Sequence, residues 1–222
     1  MDEKALYPLM AWLSPGYPVG AYSYSHALEA AVEQGLVHDR ASLHDWLEVL
    51  VSQGDGWVDA CFFRHAYDAA GREDWPTLTT VAAHAGAQRP TPEIALESEA
   101  QGEAFLLATS RAWPHDWLDR LPRPVAYPVA VAVACAAFAV PRQAGLVAYL
   151  HGFVANLASA GMRLVPLGQS DGQAAIADLA LTVQETAERA PDVPLDEIGS
   201  ATPMVDVLSI AHETQYVRLF RS

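Results

Sequence analysis

The chain has 222 residues, of which 51% are apolar and only 18% charged, and its formal net charge is −14. This length suits one domain with a large core, and the negative charge argues against a nucleic-acid-binding protein, because no basic stripe offsets the repulsion from phosphates. The low charged fraction suggests that a partner covers part of the surface.

The composition predicts an all-α fold, because alanine is frequent and strand-like alternation is confined to Val129, Val131 and Val133. We expect one domain over residues 1–222, a compact helical bundle of roughly eight to ten helices. In chain order, the predicted helices are 3–13, 25–34, 42–52, 57–70, 77–87, 93–112, 129–140, 141–164, 170–189 and 204–211.

Two patterns predict where helices begin. Ser42 with Asp45, and Ser170 with Gln173, have the spacing of capping boxes. In the helix 141–164, the small residues Ala155, Ala158, Ala160 and Gly161 should allow close helix packing.

The apolar run 129–140 is shorter than the roughly 20 residues that span a bilayer, which indicates a core helix. No positively charged segment precedes an apolar stretch at the N-terminus, so we expect no secretory signal and, by default, a cytoplasmic location. Cys61 and Cys135 are more typical of buried thiols than of a disulfide. We expect neither a membrane nor a nucleic acid as a partner.

The sequence lacks the standard signatures of catalysis. The eight histidines form no HExxH spacing, and no P-loop, GxSxG or CxxC motif is present. Glu97, Glu99 and Glu103 have the spacing of a solvated helix face rather than of a catalytic pair. We therefore predict no catalytic residue, metal ligand or cofactor.

Two alternatives stay open on the residues alone. One is a helical metal-dependent enzyme whose composite His/Glu site is assembled from distant residues. The other is a ligand-binding helical bundle, which would need one dominant apolar cavity.

Three segments of the chain have an unusual composition. The loop 14–25 combines prolines and glycines with Tyr17, Tyr22 and Tyr24, which suits an interface or a cover for the chain's own core. The segment 162–169 places Arg163 at the C-terminal end of a helix, where the helix dipole favours a cation.

The third segment is the C-terminal tail, residues 212–222. It carries Tyr216, Leu219 and Phe220 beside two arginines, whereas disordered tails are poor in apolar residues. The tail either packs on its own domain or is ordered by another protein, and the second alternative is slightly favoured.

Taken together and in this order, the three segments resemble those of the UreF-type urease accessory proteins. The resemblance implies an all-helical, non-enzymatic factor in the maturation of nickel urease, which dimerises and binds a UreH/UreD-type accessory protein. It also implies recruitment and regulation of the UreG-type GTPase, which carries nickel to the urease apoprotein. The tail would dock on the UreH/UreD-type partner.

The resemblance also carries partner-binding roles to individual positions. These are Tyr22, Ser23, Tyr24, His26 and Glu29 in the first segment, Arg163 and Gln169 in the middle segment, where the family is thought to influence the GTPase, and His212, Glu213, Tyr216, Arg218, Leu219, Phe220 and Arg221 in the tail. Three positions depart from the family pattern. Ala21 and Ala27 replace common glycines, and Val217 replaces a small hydroxyl residue.

Overall fold

The computed structural model describes residues 2–222, and within that range it contains helices and no strand. Ten helices have ten residues or more, which confirms the predicted all-α bundle. The helices are α1 (Glu3–Trp12), α2 (Leu28–Glu33), α3 (Arg40–Gln53), α4 (Asp55–Gly71), α5 (Trp75–Ala87), α6 (Pro92–Ala112), α7 (Asp116–Asp119), α8 (Tyr127–Ala137), α9 (Arg142–Leu164), α10 (Gln169–Asp178), α11 (Ala180–Arg189) and α12 (Pro203–Glu213).

Helix α8 lies at the centre of the bundle. It consists of apolar residues on all sides, and every residue from Val129 to Cys135 is fully buried, as expected for a helix without a polar face. Helix α4 packs along it, and α6, α7 and α9 also contact it. The predicted core helix is therefore confirmed, and Cys61 and Cys135 are buried free thiols.

The long helix α9 connects this core to the outer helices. A Cβ atom on Gly161 would lie 2.7 Å from Leu43 Cδ2, so α3 approaches α9 as closely as the small residue allows. Within the described residues, α9 is the one helix long and apolar enough to cross a membrane, and half of its apolar segment is buried inside the protein. Core helices of water-soluble proteins have the same length and apolar character.

Both predicted capping boxes and one further helix start are wrong, each for a local reason. Helix α3 begins at Arg40 because Asp39, not Ser42, is the N-cap, and its carboxylate accepts a hydrogen bond from the Ser42 N–H at 2.8 Å. Gly168 precedes α10, with its N–H donating to Asp171 at 3.1 Å. The predicted helix 170–189 is also broken at Leu179 into α10 and α11.

The further wrong start is that of α2, which begins at Leu28 rather than Ser25. His26 and Ala27 have φ angles of +55° and +62°, a left-handed conformation that no helix can include. This turn places the His26 side chain in the protein interior, where it is 4% exposed.

Candidate partner-binding site

The C-terminal tail returns to the start of α2, where Glu29 fixes it. One Glu29 carboxylate oxygen accepts a hydrogen bond from the Leu219 N–H at 2.7 Å, and the other accepts one from the Phe220 N–H at 2.9 Å. Glu29 lies in the first turn of α2, where the helix dipole favours a negative charge. The carboxylate thus satisfies two backbone donors that have no helix or strand partner.

His212 forms a second attachment at the end of α12. Its side chain is fully buried, with Nδ1 at 2.7 Å from Glu93 and Nε2 at 3.1 Å from Glu29. The other Glu93 oxygen accepts a hydrogen bond from Arg218 at 2.5 Å. Two buried carboxylates therefore connect the helix end to the tail that follows it.

The last two residues pack against the loop before α2. The Arg221 N–H donates to the Ser23 carbonyl at 2.9 Å, and the Ser222 carbonyl accepts hydrogen bonds from the Ser25 N–H at 2.9 Å and from the Ser25 hydroxyl. The Ser222 hydroxyl donates to Glu97 at 2.7 Å. The tail thereby reaches α6 as well as α2.

His26 lies below this junction, between two carboxylates. Its Nε2 is 2.9 Å from Asp55 and its Nδ1 is 3.3 Å from Glu97. Burial alone would lower the pKa of His26, but the charges of Glu97 and Asp55 outweigh it and raise the pKa to about 10. Likewise, burial would raise the pKa of Asp55, but the hydrogen bond and charge of His26 hold it below its ordinary value.

Arg163 joins all three unusual segments. Its guanidinium lies 3.7 Å from the centre of the Tyr22 ring and 4.4 Å from that of the Phe220 ring. Its Nη1 donates to the Tyr22 carbonyl at 3.0 Å, and its Nε donates to the Ser159 carbonyl at 3.2 Å. The loop, the end of α9 and the tail therefore meet at one arginine.

The tail has an exposed stretch between two buried anchors. Phe220 is 3% exposed, whereas Tyr216 is 101%, Val217 73% and Leu219 63% exposed. The slight preference for ordering by another protein does not hold for the buried part, because His212 and Phe220 pack on the chain's own domain. We call Tyr216, Val217 and Leu219 the exposed tail surface.

Comparison with known proteins finds a family model and full-length relatives that match this chain. A sequence model of the UreF family matches residues 37–180. The urease accessory protein UreF of Rhodopseudomonas palustris (strain BisB5) is 49% identical over all of this chain and 93% of its own length. The chain belongs to the UreF family.

Other UreF proteins are similarly close over their full length. That of Azorhizobium caulinodans is 49% identical over 96% of this chain and 94% of its own length, and that of Magnetococcus marinus is 46% identical over 99% of each. The family is one of urease accessory proteins rather than enzymes, so the predicted family and the predicted absence of enzyme activity are both correct. The chain therefore takes part in urease maturation.

The UreF-type site residues fall into two groups by exposure. Buried residues cannot contact a partner in this conformation, and they hold the junction together from inside: Tyr24, His26, Glu29, His212 and Phe220. The remaining ones reach the surface at least in part: Tyr22, Ser23, Arg163, Gln169, Glu213, Tyr216, Arg218, Leu219 and Arg221. Gln169 begins α10 and is exposed there. It takes no part in the contacts described above that join the loop to the tail.

One departure from the UreF pattern has a structural meaning. Ala27, where the resemblance to the family implies a glycine, has a φ of +62°. Glycine adopts this left-handed conformation without the steric cost that a Cβ atom imposes. The turn before α2 therefore places a Cβ atom in a conformation that glycine would adopt more easily.

The sequence analysis missed the carboxylates that organise the junction. Glu97 is 7% exposed and Glu93 8% exposed, so the acidic face expected for this part of α6 is not fully solvated. A signal was present: Glu93, Glu97 and Gln101 follow each other at four-residue spacing, beside the buried Ile94. That spacing places polar groups at the edge of the core, but it does not reveal their partners.

The alternative of a composite metal site finds little support in the donor geometry. His26 and His212 each lie between two carboxylates, one on each ring nitrogen, rather than sharing an open space with them. Within residues 2–222, the one group of donor atoms close enough for a common ion is His44, Asp45 and Glu48, at the surface of α3. Exposed groups of this kind are common without an ion.

Proposed function

We propose that this chain is a scaffold for the maturation of nickel urease, with no active site of its own. It binds the UreH/UreD-type accessory protein, and together they recruit and regulate the UreG-type GTPase on the urease apoprotein. It forms a homodimer within that complex and acts in the cytoplasm. Its contribution is binding free energy that holds the other components in one orientation.

The observation that carries this proposal is the exposed tail surface on a rigidly attached backbone. Tyr216, Val217 and Leu219 face solvent while the backbone beside them is fixed by Glu29. A docking segment that is already ordered loses little conformational entropy on binding, which favours affinity. Exposed aromatic and aliphatic side chains are the usual anchors of a protein interface.

Helix α12, which leads into the tail, extends this surface. Its residues Met204, Val207 and Ile210 are each 57% exposed and follow one another at three-residue spacing, so they lie on one helix face. Apolar residues grouped in this way are typical of a covered surface. We assign the α12 face and the exposed tail surface to the UreH/UreD-type partner.

The junction at Arg163 is our candidate for the contact that influences the GTPase. Tyr22 is 68% exposed, and its ring stacks on the Arg163 guanidinium. A planar cation and an aromatic ring at the surface form a rigid pair that costs little entropy on binding. Gln169, exposed at the start of α10, belongs to the same proposed contact.

We also propose that residues 1–222 act as a single domain. One continuous core cluster includes residues from Ala5 in α1 to Phe220 in the tail, which supports this proposal. Truncation at either end would then affect the whole unit rather than a separate module.

A pull-down with purified components tests the proposed function. The intact chain is immobilised and offered the UreH/UreD-type protein, the UreG-type GTPase and the urease apoprotein, singly and together, with and without GTP and nickel. We expect the UreH/UreD-type protein to bind alone, and the GTPase and apoprotein to be retained in its presence. If the immobilised chain retained none of the three proteins, the scaffold role would be refuted.

A further inference from the structure

A cavity of about 610 Å³ lies beneath the loop 14–22, between α6, α9 and α10. Its walls are mainly apolar and include Trp12, Val19, Phe153 and Leu157. The volume and the apolar lining are typical of sites for small organic molecules. It is also the kind of cavity that the ligand-binding alternative in the sequence analysis required.

The lining of this cavity includes a polar group with free hydrogen-bonding capacity. Arg89 lines the cavity, and its side chain is 2% exposed. Its Nη1 pairs with Asp59 at 2.7 Å and its Nε donates to the Ala85 carbonyl at 3.1 Å, but its Nη2 has no partner within the described residues. The guanidinium is therefore held rigidly with one end unused.

Trp12 supplies a second unused donor. Its side chain is fully buried and lines the cavity, and its indole Nε1 has no partner in residues 2–222 either. Leaving a buried donor without an acceptor is costly. Both groups are donors, so acceptor oxygens on a ligand would satisfy them.

The charges around the cavity argue against an ionic ligand. The positive charge of Arg89 is balanced by Asp59, which also accepts a hydrogen bond from the Tyr149 hydroxyl at 2.6 Å. Glu97 is occupied by His26, Gln101 and Ser222. Asp59 Oδ1 has no hydrogen-bond partner in residues 2–222, but it forms an ion pair with Arg89, and Glu97 forms one with His26. A metal cation would therefore meet carboxylates that are already paired with a cation, and an anion would meet a guanidinium already paired with a carboxylate.

We propose that this cavity binds an uncharged organic molecule with an apolar body and acceptor oxygens that take hydrogen bonds from Arg89 and from Trp12. The proposal does not depend on the scaffold role, because none of its residues belongs to the exposed tail surface or the α12 face. A ligand bound in the cavity would also affect the tail, because Glu97 lines the cavity and accepts a hydrogen bond from Ser222.

Titration with Nile red tests the proposal, because this dye is neutral, carries a carbonyl group and changes its emission in an apolar site. We expect saturable binding of one dye per chain with a blue-shifted emission. The anionic dye 1-anilinonaphthalene-8-sulfonate serves as the charged counterpart. Tighter binding of the anion at the same site would overturn the assignment to an uncharged ligand.

Variants locate the binding site. Ala155 lines the cavity, and Ala155→Trp should fill it and weaken Nile red binding by about tenfold or more. Gln143→Trp adds the same side chain at an exposed position of the same helix and should leave binding unchanged. Trp12→Phe keeps an aromatic ring but removes the N–H, so affinity should fall by about two- to tenfold, the effect of one hydrogen bond.

Two results would overturn the proposal. One is the absence of saturable Nile red binding to the folded chain. The other is equal binding by wild type and Ala155→Trp, which would place the dye on exposed apolar surface. Arg89 itself is left intact in this series, since its removal would leave the buried Asp59 carboxylate without its cation.

Discussion

The guanidinium of Arg163 stacks on the Tyr22 ring at 3.7 Å and donates a hydrogen bond to the Tyr22 carbonyl at 3.0 Å. The same guanidinium covers the Phe220 ring at 4.4 Å. Residues separated by more than 140 positions in the sequence are thus joined by one side chain. The junction explains why an arginine at the end of α9 has a role beyond its favourable position in the helix dipole.

Replacement of Arg163 should loosen this junction without unfolding the protein. We expect Arg163→Ala to lower the free energy of unfolding by about 1–2 kcal/mol, the combined effect of lost stacking and hydrogen bonding. Arg163→Lys should give a smaller loss, because the charge is kept but the planar group is not. Urea denaturation measures both, with the exposed Arg111→Ala as control. Global unfolding of Arg163→Ala would instead assign the arginine to the support of the whole bundle.

Glu29 should control the order of the tail. Glu29→Gln retains one acceptor but turns an amide donor toward N–H groups, so we expect a loss of about 1–3 kcal/mol for the donors left unpaired. Hydrogen exchange at the Leu219 and Phe220 amides should become faster than in wild type. Glu33→Gln changes an exposed glutamate of the same helix and should have no such effect. Unchanged exchange in Glu29→Gln would show that the tail is held mainly by other contacts.

His26 should make stability fall at alkaline pH. Its pKa rises from an unfolded value of about 6.5 to about 10 in the folded chain, because Glu97 and Asp55 outweigh the effect of burial. Its contribution is therefore complete below about pH 6.5, declines as the pH rises, and is lost once the pH passes its folded pKa of about 10.

The measurement compares unfolding free energies of wild type and His26→Gln across this range. The difference between the two proteins should be largest near about pH 6 and shrink toward about pH 10. His38→Gln, at an exposed position, should follow wild type. A difference that does not depend on pH would contradict the protonated state of His26 between its two carboxylates.

Two glycines in helix interiors should respond to alanine with opposite signs. A Cβ on Gly102 would lie 2.0 Å from the Val125 carbonyl oxygen, so Gly102→Ala should destabilise the protein by about 1–3 kcal/mol or more. A Cβ on Gly152 would meet no atom within 4 Å, so Gly152→Ala should stabilise it by about 0.5–1 kcal/mol. Thermal unfolding distinguishes the two. Equal tolerance at both sites would contradict the close approach of α6 to the segment before α8.

The helices could be predicted from the sequence because alanine content and apolar runs are local signals. Helix α9, for example, was predicted within one residue of its observed start, since a proline precedes it. The start of α2 could not be predicted, because His26 and Ala27 are left-handed and the partners of the buried His26, Asp55 and Glu97, are distant in the sequence. Helix propensity alone favoured continuing the helix through them.

The candidate site was located in part. The resemblance identified the three segments that meet, and the exposed Tyr216 and Leu219 lie where a docking surface was expected. The burial of Glu93 and Glu97 was missed, because their partners His212 and His26 lie 119 and 71 positions away in the chain. Spacing within one helix cannot show which distant residue will neutralise a buried charge.

The most direct test of the scaffold role is the affinity of a double variant, Tyr216→Ser with Leu219→Ser, for the UreH/UreD-type accessory protein. Both side chains are exposed, so the fold should be retained, and circular dichroism checks this. Leu181→Ser, at a residue 69% exposed on α11, is the matched control. We expect the double variant to bind at least about tenfold more weakly, as for interface anchors, and the control to bind like wild type. Equal binding of wild type, control and double variant would contradict the assignment of the tail as the docking surface.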